Sequence, residues 1–251
     1  MNTFFAQSAY LLPVIKRARA FHLYTQTRRY LDLYLCRGAA VFGHQYPGYS
    51  SVMKNVIEQA MYMPYPNIWH QRLLDALKKT FAPHRVGIFM SLPVADEEWQ
   101  EVWQPLPSTE YALWRPSLPM PDASFISPVL PVSAQPCRII ITKYDSFPKK
   151  WPHLPIPAIW ARLLLKAVQL WSLAQALPAM SSRWKRLFES KGSVHGRYFF
   201  SLLDEKEHAV WYQYALHRGV VLPPLPQLAG VMPLEMSRGE KKLLQEVLQW
   251  A

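Results

Sequence analysis

Four residue types in this chain could carry chemistry, and their spacing decides which chemistry that is. The eight histidines are scattered. No two of them stand at i, i+4, the spacing that would put two imidazole donors on one helix face. Cys36 and Cys137 lie far apart without C-x-x-C spacing, which argues against a disulfide scaffold and a zinc site and fits a reducing cytoplasm. Serine is present, but no G-x-S-x-G elbow and no Walker-type loop displays it, so hydrolase and nucleotide-hydrolysing readings have no footing. Lysine remains. Lys143 follows the run Arg138-Ile139-Ile140-Ile141-Thr142, which reads as a short buried strand, and Asp145 sits just beyond as a turn residue. A strand-end lysine commonly faces water.

The elements that would position these residues can be read from pattern. Phe21 to Tyr24 and Arg29 to Leu35 read as a hairpin whose turn, Gln26-Thr27-Arg28, contains no glycine. Helices are predicted over Ser50–Met61 and Asn67–Thr80, the second with Leu73, Leu74 and Leu77 on one face. Prolines recur from Pro93 to Pro136, so residues 104–136 should be extended or looped, because interior proline removes a ladder or helix donor. The most apolar segment, Ile156 to Met180, places Arg162, Lys166 and Gln169 on one stripe. That pattern fits a buried amphipathic helix rather than a membrane span. Strands are expected at Tyr198–Leu203, Val220–Leu222 and Leu228–Leu234, with a helix over Glu205–His217 stopped by Gly219. Ser237 and Glu240 have capping-box spacing ahead of a last helix bearing Leu243, Leu244, Val247 and Leu248.

The chain has 251 residues, half of them hydrophobic (50%) and 18% charged, which supports a folded core and excludes a disordered class. No secretory signal is evident: Lys16, Arg17 and Arg19 follow the apolar start instead of preceding it. The expected location is cytoplasmic. The net charge of +11 is compatible with nucleic acid, an anionic surface or an acidic partner, although no basic–aromatic RNA-binding motif is present.

The stretch Arg29 to Gln59 resembles the N-terminal signature of class III aminotransferases, the ornithine/glutamate-1-semialdehyde type. The matching pieces are Arg29-Tyr30-Leu31-Asp32, Gly38-Ala39-Ala40, Gly43-His44-Gln45-Tyr46-Pro47 and the helix from Val52. His217 to Leu234, HRGVVLPPLPQLAGVMPL, is similar to the family's C-terminal R-G-V-x-L-P-P segment. The resemblance implies fold-type I and pyridoxal phosphate (PLP). It also implies an α/β fold made of a small-domain-like unit and a shrunken, Pro-rich remnant of the large PLP domain. The domain division it suggests is 1–62 and 190–251 for the two parts of the small domain and 63–189 for the remnant.

PLP needs a lysine for its Schiff base, a carboxylate at the ring nitrogen and backbone donors for its phosphate. The resemblance places the phosphate turn at Ser91 to Glu98, where Ser91, Ala95 and Glu97 match but Leu92 and Pro93 replace a glycine and a backbone donor. The family's D-E-V-x-x-G and T-x-x-K motifs are absent, and Glu101 to Pro155 is too short for the family's central strands and helices. Lys143 is the candidate Schiff-base lysine left by order along the chain. His44, in the G-H-x-x-P turn, is expected to close that loop by hydrogen bonding. The favoured expectation is a degenerate, non-catalytic protein without cofactor. It would act on a protein partner, a second copy or a full-length aminotransferase. The alternatives are a divergent PLP-dependent transaminase or aminomutase, and a basic nucleic-acid or anionic-surface binder.

Overall fold

A computed structural model describes residues 12–46, 48–59, 63–90, 99–101, 109–132, 137–152 and 154–250. In chain order the elements are β1 (Arg17–Arg19), β2 (His22–Tyr24), β3 (Arg29–Asp32), α1 (Tyr49–Glu58), α2 (Ile68–Thr80), β4 (Arg85–Phe89) and β5 (Gln100–Glu101). There follow β6 (Thr109–Trp114), β7 (Ala123–Pro128), β8 (Arg138–Thr142), α3 (Ala158–Gln175), α4 (Ser182–Glu189), β9 (Gly192–His195) and β10 (Tyr198–Ser201). The chain ends with α5 (Glu205–Arg218), β11 (Val220–Val221), β12 (Gly230–Val231) and α6 (Arg238–Leu248). The fold is α/β. The described residues form two compact units, one taking those up to Tyr46 and from Pro178 onward, the other those between.

In the first unit β1, β2 and β3 form an antiparallel meander, and β11 adds to β3 in parallel, pairing Val220 with Leu31. The β2–β3 turn dispenses with glycine because Thr25 organises it: Thr25 Oγ1 accepts from Thr27 N–H (3.3 Å) and Arg28 N–H (3.1 Å). Glycine is required where α5 ends. Gly219 has φ +99, and an added Cβ would lie 2.7 Å from the Arg28 guanidinium. A second sheet has the order β12-β10-β9. The expected capping box is present on α6, with Ser237 and Glu240 bonded in both directions.

Three expectations about element length are corrected. β3 ends at Asp32 rather than Leu35, because the Asp32 carboxylate captures the next two free N–H groups and turns the chain. The apolar run Ile156–Met180 is not one helix: α3 stops at Gln175, Pro178 follows, and α4 starts afresh. The strand expected over Leu228–Leu234 is only Gly230–Val231, with Pro233 ending it.

The second unit is a five-stranded sheet, order β4-β8-β7-β6-β5, in which β5, β6 and β7 run parallel and β8 is antiparallel to both neighbours. The Pro-rich segment therefore does hold strands. What it lacks is a helical crossover: residues 115–122 alone join β6 to its parallel neighbour β7, through a turn at Pro116-Ser117 closed by Leu118 N–H on Arg115 O (3.3 Å) and an irregular run bearing Pro119 and Pro121. Both sheet faces are buried, which explains the unbroken RIIIT run. Ile139 and Ile141 point to one face, with Leu73, Leu77, Leu164 and Trp171 of α2 and α3. Ile140 points to the other, into Phe89, Trp99, Phe125 and Trp151. Among the described residues, Trp151 and Phe147 from the segment after β8 pack over the strand-borne Phe89 and Phe125 on this face. Arg162, Lys166 and Gln169 keep to the less buried side of α3, as their spacing requires.

Candidate functional site

In an open α/β sheet, ligands bind at the carboxyl ends of the parallel strands. Here that edge is formed by Trp114, which ends β6, and Pro128, which ends β7. Val129 N–H donates to Trp114 O (2.8 Å), and the Trp114 indole N–H donates to Leu118 O (2.9 Å), so these two strand ends are tied to the segments that follow them. Directly after β6 comes Arg115, a charged side chain only 1% exposed.

Lys143 occupies the opposite edge. Because β8 is antiparallel to β7 and Thr142 pairs with Phe125, Lys143 falls beside the amino end of β7. Its Nζ lies 3.2 Å from the Asp122 carboxylate, and the two side chains are 56% and 70% exposed. Neighbouring groups hold the strand end, not a cofactor: Thr142 Oγ1 donates to Ser124 O (2.7 Å), and Tyr144 and Ser124 hydroxyls meet at 2.9 Å. PLP chemistry needs an amine that can lose its proton and a sheltered place for the ring. An open, ion-paired lysine at the amino edge supplies neither, so the residues around Lys143 do not fit the cofactor. The phosphate-turn residues Ser91, Ala95 and Glu97 lie outside the described residues. Among the described residues no group of three or more His, Cys, Asp or Glu could hold a metal ion. No helix among them is long and apolar enough to cross a membrane.

The G-H-x-x-P turn is built as a polar lock. Asp32, buried at the end of β3, accepts Tyr34 N–H (2.8 Å) and Leu35 N–H (3.1 Å) on Oδ1 and meets His44 Nε2 at 2.7 Å on Oδ2. His44 N–H donates to Ala20 O (2.7 Å), and Gly43, φ +89, brings the chain that close: a Cβ there would lie 2.7 Å from the same oxygen. Between these partners Leu35, Cys36, Arg37 and Gly38 all have left-handed backbone angles, φ 42, 56, 59 and 72. Burial alone would lower the His44 pKa. The Asp32 hydrogen bond and charge, helped by Cys36, outweigh it and raise the pKa to about 9.

Two other buried groups were not apparent in the sequence: Arg115, and Arg197, which is 6% exposed. Neither lies in a motif, and tertiary placement alone buries them. Three arginines near the amino end are engaged within the chain. Arg17 lies 4.5 Å over the Tyr24 ring, Arg28 4.8 Å over Tyr30, and Arg29 pairs with Glu240 at 3.0 Å.

No family model matches the sequence. An uncharacterized protein of Treponema pallidum is 22% identical across 87% of this chain and 88% of its own length. An uncharacterized protein of Borreliella burgdorferi is 38% identical over 65 residues, and the match spans only 24% of that protein. Solved structures are more informative about the fold. An omega-aminotransferase from Paracoccus denitrificans superposes with TM-score 0.67 at 11% identity, covering 97% of this chain and 94% of that one. An omega-transaminase from Sphaerobacter thermophilus gives 0.64 at 11%, covering 98% and 95%. Ornithine delta-aminotransferase from Plasmodium falciparum gives 0.62 at 10%, covering 94% and 91%. This chain has the aminotransferase fold, and its structural neighbours include class III aminotransferases. At such identities the likeness is one of fold, and chemistry must be argued from the residues in place.

Proposed function

We propose that this chain is a degenerate, non-catalytic aminotransferase-like protein that acts by binding another protein, either a second copy or a full-length aminotransferase. One observation carries the reading. Lys143, the candidate for cofactor attachment, lies beside the amino end of β7 and not at the carboxyl edge where α/β sheets hold ligands. With catalysis set aside, the surface is what the chain offers. Over the short stretch from the end of α1 to the start of α2, Ile57, Met63, Tyr65 and Ile68 are 49%, 59%, 69% and 58% exposed. Large apolar side chains concentrated in this way favour a protein interface. The nucleic-acid reading draws less support, because Arg17, Arg28 and Arg29 already have aromatic or carboxylate partners.

The test is light scattering after size exclusion, with the chain alone and mixed with a full-length class III aminotransferase. The expected result is a defined homodimer or hetero-complex that the Ile57→Ser/Ile68→Ser double variant loses while keeping its circular dichroism. A strictly monomeric chain that turns over an amino donor when supplied with PLP would overturn the reading.

A further inference from the structure

A cavity of about 380 Å³ opens within the first unit, at the start of α4 and beside the segment leading to α6. Its volume is at the lower end of the range for small-molecule sites. Its wall is of two kinds. The apolar part is the indole of Trp184 with the thioethers of Met180, Met232 and Met236. The polar part is made by Ser181, Arg197, Glu235 and Lys241. The guanidinium of Arg197 donates to Pro178 O (2.8 Å), Met232 O (2.8 Å) and Pro233 O (3.0 Å). All three acceptors are neutral carbonyls. Its Nε–H is buried with no acceptor among the described residues. A cation more than nine-tenths buried thus has no carboxylate within ion-pairing distance among them, although buried charges are ordinarily paired.

We propose that this cavity is a binding site for a small organic carboxylate with an aromatic or other compact apolar tail. The carboxylate supplies the counter-charge that Arg197 lacks, and the tail lies against Trp184 and the methionines, whose flexible thioethers adapt to its shape. Lys241 lines the same cavity and adds a second positive charge. Glu235 lines it too and disfavours a dianion, so a monocarboxylate is preferred to a phosphate ester. The volume suits a free acid better than a peptide end. The site goes beyond the proposed protein interaction and does not depend on it.

The test uses 3-phenylpropionate as probe, 3-phenylpropionamide as its neutral counterpart, and an acetylated longer peptide ending in Phe. Methyl-labelled methionine resolves Met180, Met232 and Met236 among the nine methionines. Saturable shifts confined to those three and affinity at least about tenfold weaker for the amide are expected. Because Arg197 also ties three carbonyls, its removal would test folding as much as binding. Trp184→Ala, on a half-buried side chain, is the variant of choice, and it should weaken the acid about tenfold with the fold intact. Equal binding of acid and amide, shifts spread to Met53 or Met63, or no saturable shift at millimolar probe would each overturn the proposal. Tighter binding of the peptide would overturn the free-acid assignment.

Discussion

Asp32 and His44, twelve residues apart, form one unit: His44 Nε2 stands 2.7 Å from Asp32 Oδ2 while Asp32 Oδ1 accepts the N–H groups of Tyr34 and Leu35. The carboxylate therefore ends a strand, holds a left-handed turn and closes the G-H-x-x-P loop at once. This makes the lock the most heavily interconnected polar feature of the first unit's N-terminal half, and it has a pH signature.

His44 has a folded pKa raised to about 9 from an ordinary value of 6.5. A group raised on folding contributes stability that is complete below its unfolded value and is lost as pH rises through the folded one. The contribution is present at pH 6, declines above 6.5 and is gone beyond about 9. Its upper size is about 3 kcal/mol. Urea midpoints measured across that range should fall for the native chain and stay flat for His44→Gln. A native profile as flat as the variant's would show that the ion pair does not form.

Ser237→Ala tests the capping box and a linked charge. Loss of an N-cap side chain costs about 1 kcal/mol. Burial pushes the Glu240 carboxyl up, but hydrogen bonds from Ser237 and the contact with His22 (2.6 Å) bring it below its usual range. A depressed carboxyl contributes stability above its unfolded value and loses it as pH falls through the folded one. The variant should therefore be less stable at neutral pH and lose less on acidification than the native chain. Thermal unfolding at neutral and mildly acidic pH reads both effects.

Trp151→Ala should be among the most damaging single changes. Trp151 is 1% exposed, with ring centroids of Phe125 and Phe89 at 4.8 and 5.2 Å. Truncating a buried Trp costs about 3–5 kcal/mol. Its indole N–H has no partner among the described residues, so Trp151→Phe forfeits no hydrogen bond seen there and should cost much less. Chemical denaturation of both variants decides it. Similar losses would mean that the indole itself, not aromatic filling, secures this sheet face.

What could be read from sequence divides along physical lines. The capping box, the Gly219 stop and the RIIIT strand were legible because each is specified by neighbours within a few residues. The likeness to class III aminotransferases was legible from Arg29-Tyr30-Leu31-Asp32 and from His217 to Leu234. The strands β6 and β7 were masked by proline, since turn prolines and strand-breaking prolines look alike until the connection between them is seen. The edge on which Lys143 falls depends on β8 being antiparallel to β7, a pairing that no local pattern records. Burial of Arg197 depends on carbonyls of Pro178, Met232 and Pro233, which are 19, 35 and 36 residues from it in the chain.

Lys143 gives the most direct test of whether the fold still runs its neighbours' chemistry. Stoichiometric attachment of PLP to one lysine requires anchors acting together on ring, phosphate and amine. At Lys143 the amine is paired with Asp122 at 3.2 Å and both side chains are more than half exposed. The same ion pair contributes little to the fold, because exposed pairs are worth about 0–1 kcal/mol. Lys143→Ala should therefore leave stability within about 0.5 kcal/mol of the native chain. Incubation with PLP, borohydride reduction and peptide mapping should show low labelling spread over many surface lysines, unchanged in the variant apart from the missing site. Stoichiometric labelling at Lys143, abolished in Lys143→Ala, would instead place a working cofactor site at the amino edge of the parallel strands.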